Sequence, residues 1–215
     1  MSKRRHRGYT TELEEKDPGR RGALFRGLTG RKSADVSGTA GETPNLKAML
    51  LAAYGPGKRG GEIDTRAAAK GLGVSQRTVE RYVKGEIRNP KPGTLTKLET
   101  ASRRAATTKA GRARAIEAMR NSPEGKKLLK YGGSITVTGR QGAEGGDGWY
   151  IRHCARTMPT DLSTIPPDQI DGLWSAYVDG GDKGASDYLH GLADEHYLNS
   201  WTYETISDIS IDPPD

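Results

Sequence analysis

The sequence predicts an α+β fold: a flexible basic N-terminal arm, an all-α domain, and a small C-terminal α+β domain in the order β-β-α-α-β. Three observations carry this prediction. Leu, Ile, Val and Phe supply 33 of the 215 residues, about 15%, below the level of roughly 20% at which one large core becomes hard to build, so small cores joined by polar segments are expected. Apolar residues recur at helical spacing between capping residues from 43 to 120. Beyond Lys130 the pattern changes to alternation and Gly-rich turns.

Residues 1–42 have few apolar positions and read as a disordered basic arm, with Leu24, Phe25 and Leu28 forming at most one amphipathic turn. The all-α domain is expected over 43–131. Thr43 is placed as N-cap and Pro44 at the first helical position, followed by Leu46, Leu50 and Ala53 with Met49 beside them. Gly55 ends that helix and opens the Gly-rich loop GPGKRGG. Asp64 caps a short Ala-rich helix that Gly73 breaks. Ser75 caps the next, QRTVERYVKG, which stops at Gly85. After the connector NPKPG, residues 94–120 read as a strongly basic helix with Leu95, Leu98, Ala101 and Ala105 on one stripe. Ile116 and Met119 form a weaker second stripe.

The C-terminal domain is expected over 132–215. Residues 134–138 form a short strand, QGAEGGDG a turn or loop, and residues 149–158 a second strand. Pro166 and Pro167 start a helix to Val178 with Ile170, Leu173, Trp174 and Tyr177 on one face. A second helix over 185–197 uses Tyr188, Leu189, Leu192 and His196, and Ile206, Ile209 and Ile211 mark a final strand.

Charge divides the chain sharply. Residues 1–44 carry net +4, residues 45–131 net +13, and residues 132–215 net −10. The central block attracts polyanions, because every phosphate it neutralises releases condensed counterions. The acidic block is repelled by the same phosphates and is expected to do something else. One cysteine, Cys154, excludes an intrachain disulfide framework. The basic N-terminus lacks the apolar stretch of a secretory signal, and the longest apolar run, 48–54, is far short of the roughly 20 residues of a membrane span. The expected place is cytoplasmic, on DNA, with no membrane partner.

The most informative motif is AAAKGLGVSQRTVERYV, with Ala69, Gly73, Val74 and Val79 at helix-turn-helix spacing. A small residue lets the first helix approach the second, Gly permits the left-handed turn, and the apolar residues lock the crossing angle. The second helix of such a pair lies in the major groove. Gln76, Arg77, Glu80, Arg81 and Lys84 fall on its polar side, with Val79, Tyr82 and Val83 toward the core. Gln reads adenine and Arg reads guanine, each with two hydrogen bonds. Ser75 and Thr78 suit phosphate or base contacts. Arg88, Lys91 and Lys97 suit phosphate, which positions without specifying sequence.

The segment GVSQRTVERYVKGEIRNPKP resembles the helix-turn-helix of the telomere-protecting terminal proteins of actinobacterial (Streptomyces-type) linear plasmids and chromosomes. The resemblance continues, more loosely, through WYIRHCARTMP, PPDQIDGLWSAYVDG and ETISDISI, and covers residues 44–215. It implies a protein that binds telomeric DNA, as a single-stranded overhang, a folded end or duplex. Such a protein becomes covalently attached to the 5′ ends, caps them, and primes the last stretch of synthesis. The implied partners are a DNA polymerase and a telomere-associated protein, with a homodimer left open. No cofactor of its own is implied; Mg²⁺ and the deoxynucleotide come with the polymerase. The chain is then a nucleotide acceptor used by an enzyme rather than an enzyme.

The resemblance implies an acceptor Thr just before the second strand of the acidic domain, and the matching segment here is YGGSITVTGRQG. Thr138 is the first choice, beside Gly139, with Thr136 and Ser134 as alternatives. Alternation puts the three on one strand face, opposite Ile135 and Val137. Tyr131 and Tyr150 are further hydroxyls should that row fail.

Two other readings compete. One is a helix-turn-helix transcriptional repressor whose C-terminal domain dimerises or senses a ligand. The other is an enzyme that nicks or joins DNA. His153, Cys154 and His196 lack recognised metal-ligand spacing, and no metal site is expected. GAEGGDG lacks the Lys and helix of a phosphate loop. Asp179, Asp182 and Asp187 read as surface carboxylates, and Trp174, Tyr177, Tyr188, Trp201 and Tyr203 as core of the small domain.

Overall fold

The structure, a computed structural model, describes residues 22–39, 44–57, 60–145, 148–161 and 163–214. Among them lie eight helices and one three-stranded antiparallel sheet, an α+β architecture. In chain order the elements are α1 (Ala23–Leu28), α2 (Leu46–Tyr54), α3 (Thr65–Leu72), α4 (Gln76–Val83), α5 (Pro92–Thr107), α6 (Lys109–Arg120) and α7 (Pro123–Tyr131). There follow β1 (Ser134–Gly145), β2 (Gly148–Met158), α8 (Pro167–His196) and β3 (Trp201–Asp212). None of these helices is long and apolar enough to cross a membrane. The chain forms two compact units, Arg31–Ala115 and Met1–Gly30 with Ile116–Asp215. These limits differ from the expected boundaries at 42 and 131.

In the unit Arg31–Ala115, α2 starts at Asn45, whose side chain accepts the Ala48 N–H at 3.1 Å. The cap expected at Thr43 lies outside the described residues. The helix ends at Gly55, with φ 75°. There the buried Arg31 guanidinium donates to the Ala52 carbonyl at 2.7 Å, placing a cation at the negative end of the helix dipole. Burial, and then Arg114, bring Arg31 down to about 10, so it stays charged at neutral pH. Asp64 caps α3 through the Ala67 N–H at 2.9 Å. Leu46, Met49, Leu50, Ile63, Ala68, Leu72, Val79, Tyr82 and Leu98 form one core from α2 to α5. Each large apolar side chain among them contributes about 1.5–3 kcal/mol by leaving water.

The single basic helix expected over 94–120 is two helices. Thr108 is extended, with φ −105° and ψ 144°. Its hydroxyl donates to the Arg104 carbonyl at 2.8 Å and accepts the Gly111 N–H at 3.1 Å. One side chain thus closes α5 and caps α6. A separate α7, absent from the sequence reading, follows Ser122, which accepts the Gly125 N–H at 3.0 Å, with Pro123 opening the helix.

The sheet has the order β2-β1-β3. β1 is longer than the expected strand of 134–138 and runs through most of the predicted loop. It pairs with β2 from Ile135↔Met158 to Gly145↔Gly148, and with β3 from Ser134↔Asp212 to Ala143↔Trp201. Ladder bonds from both neighbours hold a Gly-rich, polar segment extended that propensity alone does not favour. β3 begins at Trp201, earlier than Ile206. Register shifts at Thr138/Gly139 and Arg140/Gln141 interrupt its alternation, which hid the first half of the strand from a period-two reading.

Gln141 is fully buried and ties the three strands together. Its Nε2 donates to the carbonyls of Val137 at 2.7 Å and Cys154 at 2.8 Å, and its Oε1 accepts the Trp201 indole N–H at 3.1 Å. α8 carries a non-helical Gly181, with φ 63°, that divides it into two segments matching the two expected helices. Of the predicted aromatic core, Trp174, Tyr177, Trp201 and Tyr203 are buried and Tyr188 is half-buried.

The flexible-arm expectation needs correction over its described part. Leu24, Phe25 and Leu28 of α1 have no exposed surface, and α1 packs on β3. At Gly27 a Cβ would lie 2.0 Å from the Ile209 carbonyl oxygen. Residues 1–21 and 40–43 lie outside the described residues. Gly27→Ala should therefore destabilise the unit by about 1–3 kcal/mol through overpacking, read as a lower denaturant midpoint. An unchanged midpoint would detach α1 from the sheet.

Candidate nucleic-acid interface and hydroxyl row

α3 and α4 are joined by a turn of three residues. Gly73 is left-handed, with φ 72° and ψ 36°, and its N–H donates to the Ala69 carbonyl at 3.0 Å. Ser75 caps α4, accepting the Thr78 N–H at 3.1 Å, and its hydroxyl lies 2.8 Å from the Thr78 hydroxyl. Val79 and Tyr82 enter the core, while Val83 is half-buried against it. The opposite face of α4 is left to solvent.

That face holds the expected residues. Gln76, Arg77, Glu80, Arg81 and Lys84 are exposed, as are Ser75, Arg88, Lys91 and Lys97; Thr78 is half-buried. Arg77, Arg81 and Lys84 follow at i, i+4, i+7 and share one stripe. Arg77, Glu80, Arg81, Lys84 and Glu86 line a shallow polar depression. Arg77 and Lys84 make no ion pair among the described residues, whereas Arg81 Nε lies 3.2 Å from Glu86 Oε2. Both partners of that pair are half-exposed, so it contributes at most about 1 kcal/mol. Gln76 Nε2 donates to Thr65 Oγ1 at 3.1 Å and to Glu80 Oε1 at 3.2 Å. The sequence reading missed Thr65 and Glu86. Thr65 meets Gln76 across the turn, beyond any local periodicity. Glu86, five residues after Arg81, follows the helix end where the i, i+4 rule no longer applies.

Ser134, Thr136 and Thr138 are half-buried on one face of β1, and Ile135 and Val137 are buried on the other. Across the ladder to β3 they face Asp212, Ser210 and Asp208 respectively. Thr136 shares a hydrogen bond with Thr157, Oγ1 to Oγ1 at 2.8 Å. The hydroxyls of Ser134 and Thr138 make none among the described residues. The Thr138 carbonyl accepts the Ser207 hydroxyl at 3.1 Å at the first register shift. Farther along the same face, Arg140 pairs with Glu204 at 2.6 Å and stands across from His153. Tyr131 and Tyr150, the reserve hydroxyls, are 53% and 61% exposed.

His153 is exposed and Cys154 half-buried on adjoining positions of β2. His196 Nε2 meets Gln169 Oε1 at 2.5 Å. The described residues bring together no cluster of three or more His, Cys, Asp or Glu suited to a metal ion. Compared with protein-family models, with curated proteins and with solved structures, the chain matches none.

The geometry of α4 makes its cap testable. Ser75→Ala should cost about 1 kcal/mol by leaving the Thr78 N–H without its acceptor, seen as lower thermal stability. Ser75→Asp should restore the loss; if both variants melt like the parent, the cap does not hold the turn.

Proposed function

We propose that the chain is a terminal protein of a linear replicon: it binds telomeric DNA through α4 and accepts the first nucleotide on Thr138. The observation that carries the DNA-binding part is the exposed stripe of Arg77, Arg81 and Lys84. It stands on a capped helix whose other face is fixed in a core. The unit Arg31–Ala115 holds 18 Lys and Arg against 7 Asp and Glu, net +11. A field of that sign draws DNA from a distance, and Arg88, Lys91 and Lys97 add phosphate contacts that hold register.

The acceptor part rests on the resemblance of YGGSITVTGRQG and on the hydroxyl row. Thr138 is favoured over Thr136 because Thr136 shares its hydroxyl with Thr157. In the reaction Thr138 Oγ attacks the α-phosphorus of a deoxynucleoside triphosphate. The bond to pyrophosphate breaks, and the hydroxyl gives up its proton. That proton passes to a base in the complex with the polymerase; Asp208 is the residue paired with Thr138 across the ladder. Mg²⁺ brought by the polymerase stabilises the attacking and leaving oxygens.

Two measurements test this reading. In a gel-shift titration, Arg77→Ala and Arg81→Ala should each weaken binding to telomeric duplex by about 1–3 kcal/mol. Equal affinity would remove α4 from the interface. In the second, the protein is incubated with labelled deoxynucleotide, Mg²⁺, telomeric DNA and host replication extract, and its intact mass is read. A gain of one nucleotide monophosphate that disappears in Thr138→Ala is expected. A gain that survives would move the acceptor to another hydroxyl, and no gain with DNA binding intact would leave a repressor.

A further inference from the structure

We infer that Glu80, with the Gln76 amide it orients, makes α4 a reader of cytosine in the major groove. This rests on the proposed docking of α4 on DNA and names which base its polar face selects. The argument starts from hydrogen-bond capacity. A side-chain amide nitrogen has two hydrogens. In Gln76 one goes to Thr65 Oγ1 at 3.1 Å and the other to Glu80 Oε1 at 3.2 Å. The carboxylate fixes the direction of the amide, since turning it over would bring Gln76 Oε1 against Glu80. Both donors are therefore engaged within the protein, and the free carbonyl oxygen of Gln76 remains as an acceptor.

That changes what Gln76 can read. The two-bond contact to adenine needs the amide to accept from N6 and donate to N7. Held by Thr65 and Glu80, it can do only the first. The exposed pair Gln76 and Glu80 thus offers acceptors alone. Guanine presents N7 and O6 acceptors and thymine presents O4, so both are repelled. Adenine presents N6 as donor but N7 beside it as acceptor. Cytosine presents the N4 donor with no neighbouring acceptor and suits a carboxylate. Arg77, on the adjoining stripe of α4 and in no ion pair among the described residues, brings the donors that the guanine of the same or next pair requires. A C·G pair matches this arrangement of acceptors beside donors.

The test is selection of binding sites by the full chain from a randomised duplex library, followed by competition binding on single-base variants. Wild type, Glu80→Gln and Thr65→Val are compared, with circular dichroism melts confirming that each is folded. The wild type should fix cytosine at one position. Glu80→Gln should reduce that preference roughly tenfold, in keeping with the loss of one specific base contact. Thr65→Val frees one Gln76 N–H and should admit adenine at the same position. Adenine fixed by the wild type, or a cytosine preference that Glu80→Gln leaves unchanged, would overturn the inference while α4 still docks. Failure of the wild type to bind any duplex would overturn the docking and the inference together.

Discussion

The left-handed turn at Gly73 is the constraint on which the candidate interface depends. Any side chain there would strain a backbone at φ 72°. The turn also brings the N–H groups of Gly73 and Val74 back to the Ala69 carbonyl, at 3.0 and 3.1 Å. This closes α3 in the manner of a Schellman end. Once the chain has reversed, Ser75 can start α4 and Val79 and Tyr82 can reach the core shared with α2, α3 and α5. The cations face outward because the apolar side of an eight-residue helix is already committed. In this unit sequence, turn, packing and exposure form one chain of cause, and the polar face of α4 is its product.

The sheet unit meets the shortage of apolar side chains differently. Its central strand has a Gly-rich, polar second half, and a buried amide replaces part of the missing hydrophobic contact. Gln141 satisfies its nitrogen and oxygen on three strands at once. A complete buried network of this kind adds little net energy, yet breaking it leaves orphaned groups at about 1–3 kcal/mol each. It therefore fixes register more than it adds stability. Gln141 lies on the buried side of β1, and Ser134, Thr136 and Thr138 on the other. A strand pinned from one face presents its opposite face with little freedom.

What could be read from the sequence was local. The caps at Asp64 and Ser75, the turn at Gly73, the core positions Val79 and Tyr82 and the two faces of 134–138 all follow from spacing within a few residues. The errors arose where one side chain serves two elements or where distant contacts decide. Thr108 divides a stretch of good helix formers because its hydroxyl serves two helices. The segment QGAEG is a strand because β2 and β3 flank it. α1 is ordered because residues about 180 positions later give Gly27 a surface to meet. The site itself was legible as a list of exposed residues, but not as a network. That Gln76 spends its donors on Thr65 and Glu80 depends on how α3 and α4 cross.

The same distribution of charge bears on the hydroxyl face of β1. Thr138 and Ser134 stand opposite Asp208 and Asp212, on a domain whose residues 132–215 carry net −10. Nearby Arg140 is engaged with Glu204. A triphosphate approaching this face meets carboxylates first, so the face is poorly suited to hold a nucleotide alone. On the proposed reading, what this face supplies is the hydroxyl row, with the phosphates held and neutralised from outside. The basic unit has the complementary properties: its excess of Lys and Arg attracts polyanions, and its caps use the hydroxyls of Ser75, Thr78 and Thr108 within its own helices. On the proposed reading, therefore, affinity and reactivity are kept on separate surfaces because one sign of charge cannot serve both. The catalytic machinery then belongs to the polymerase that brings the nucleotide.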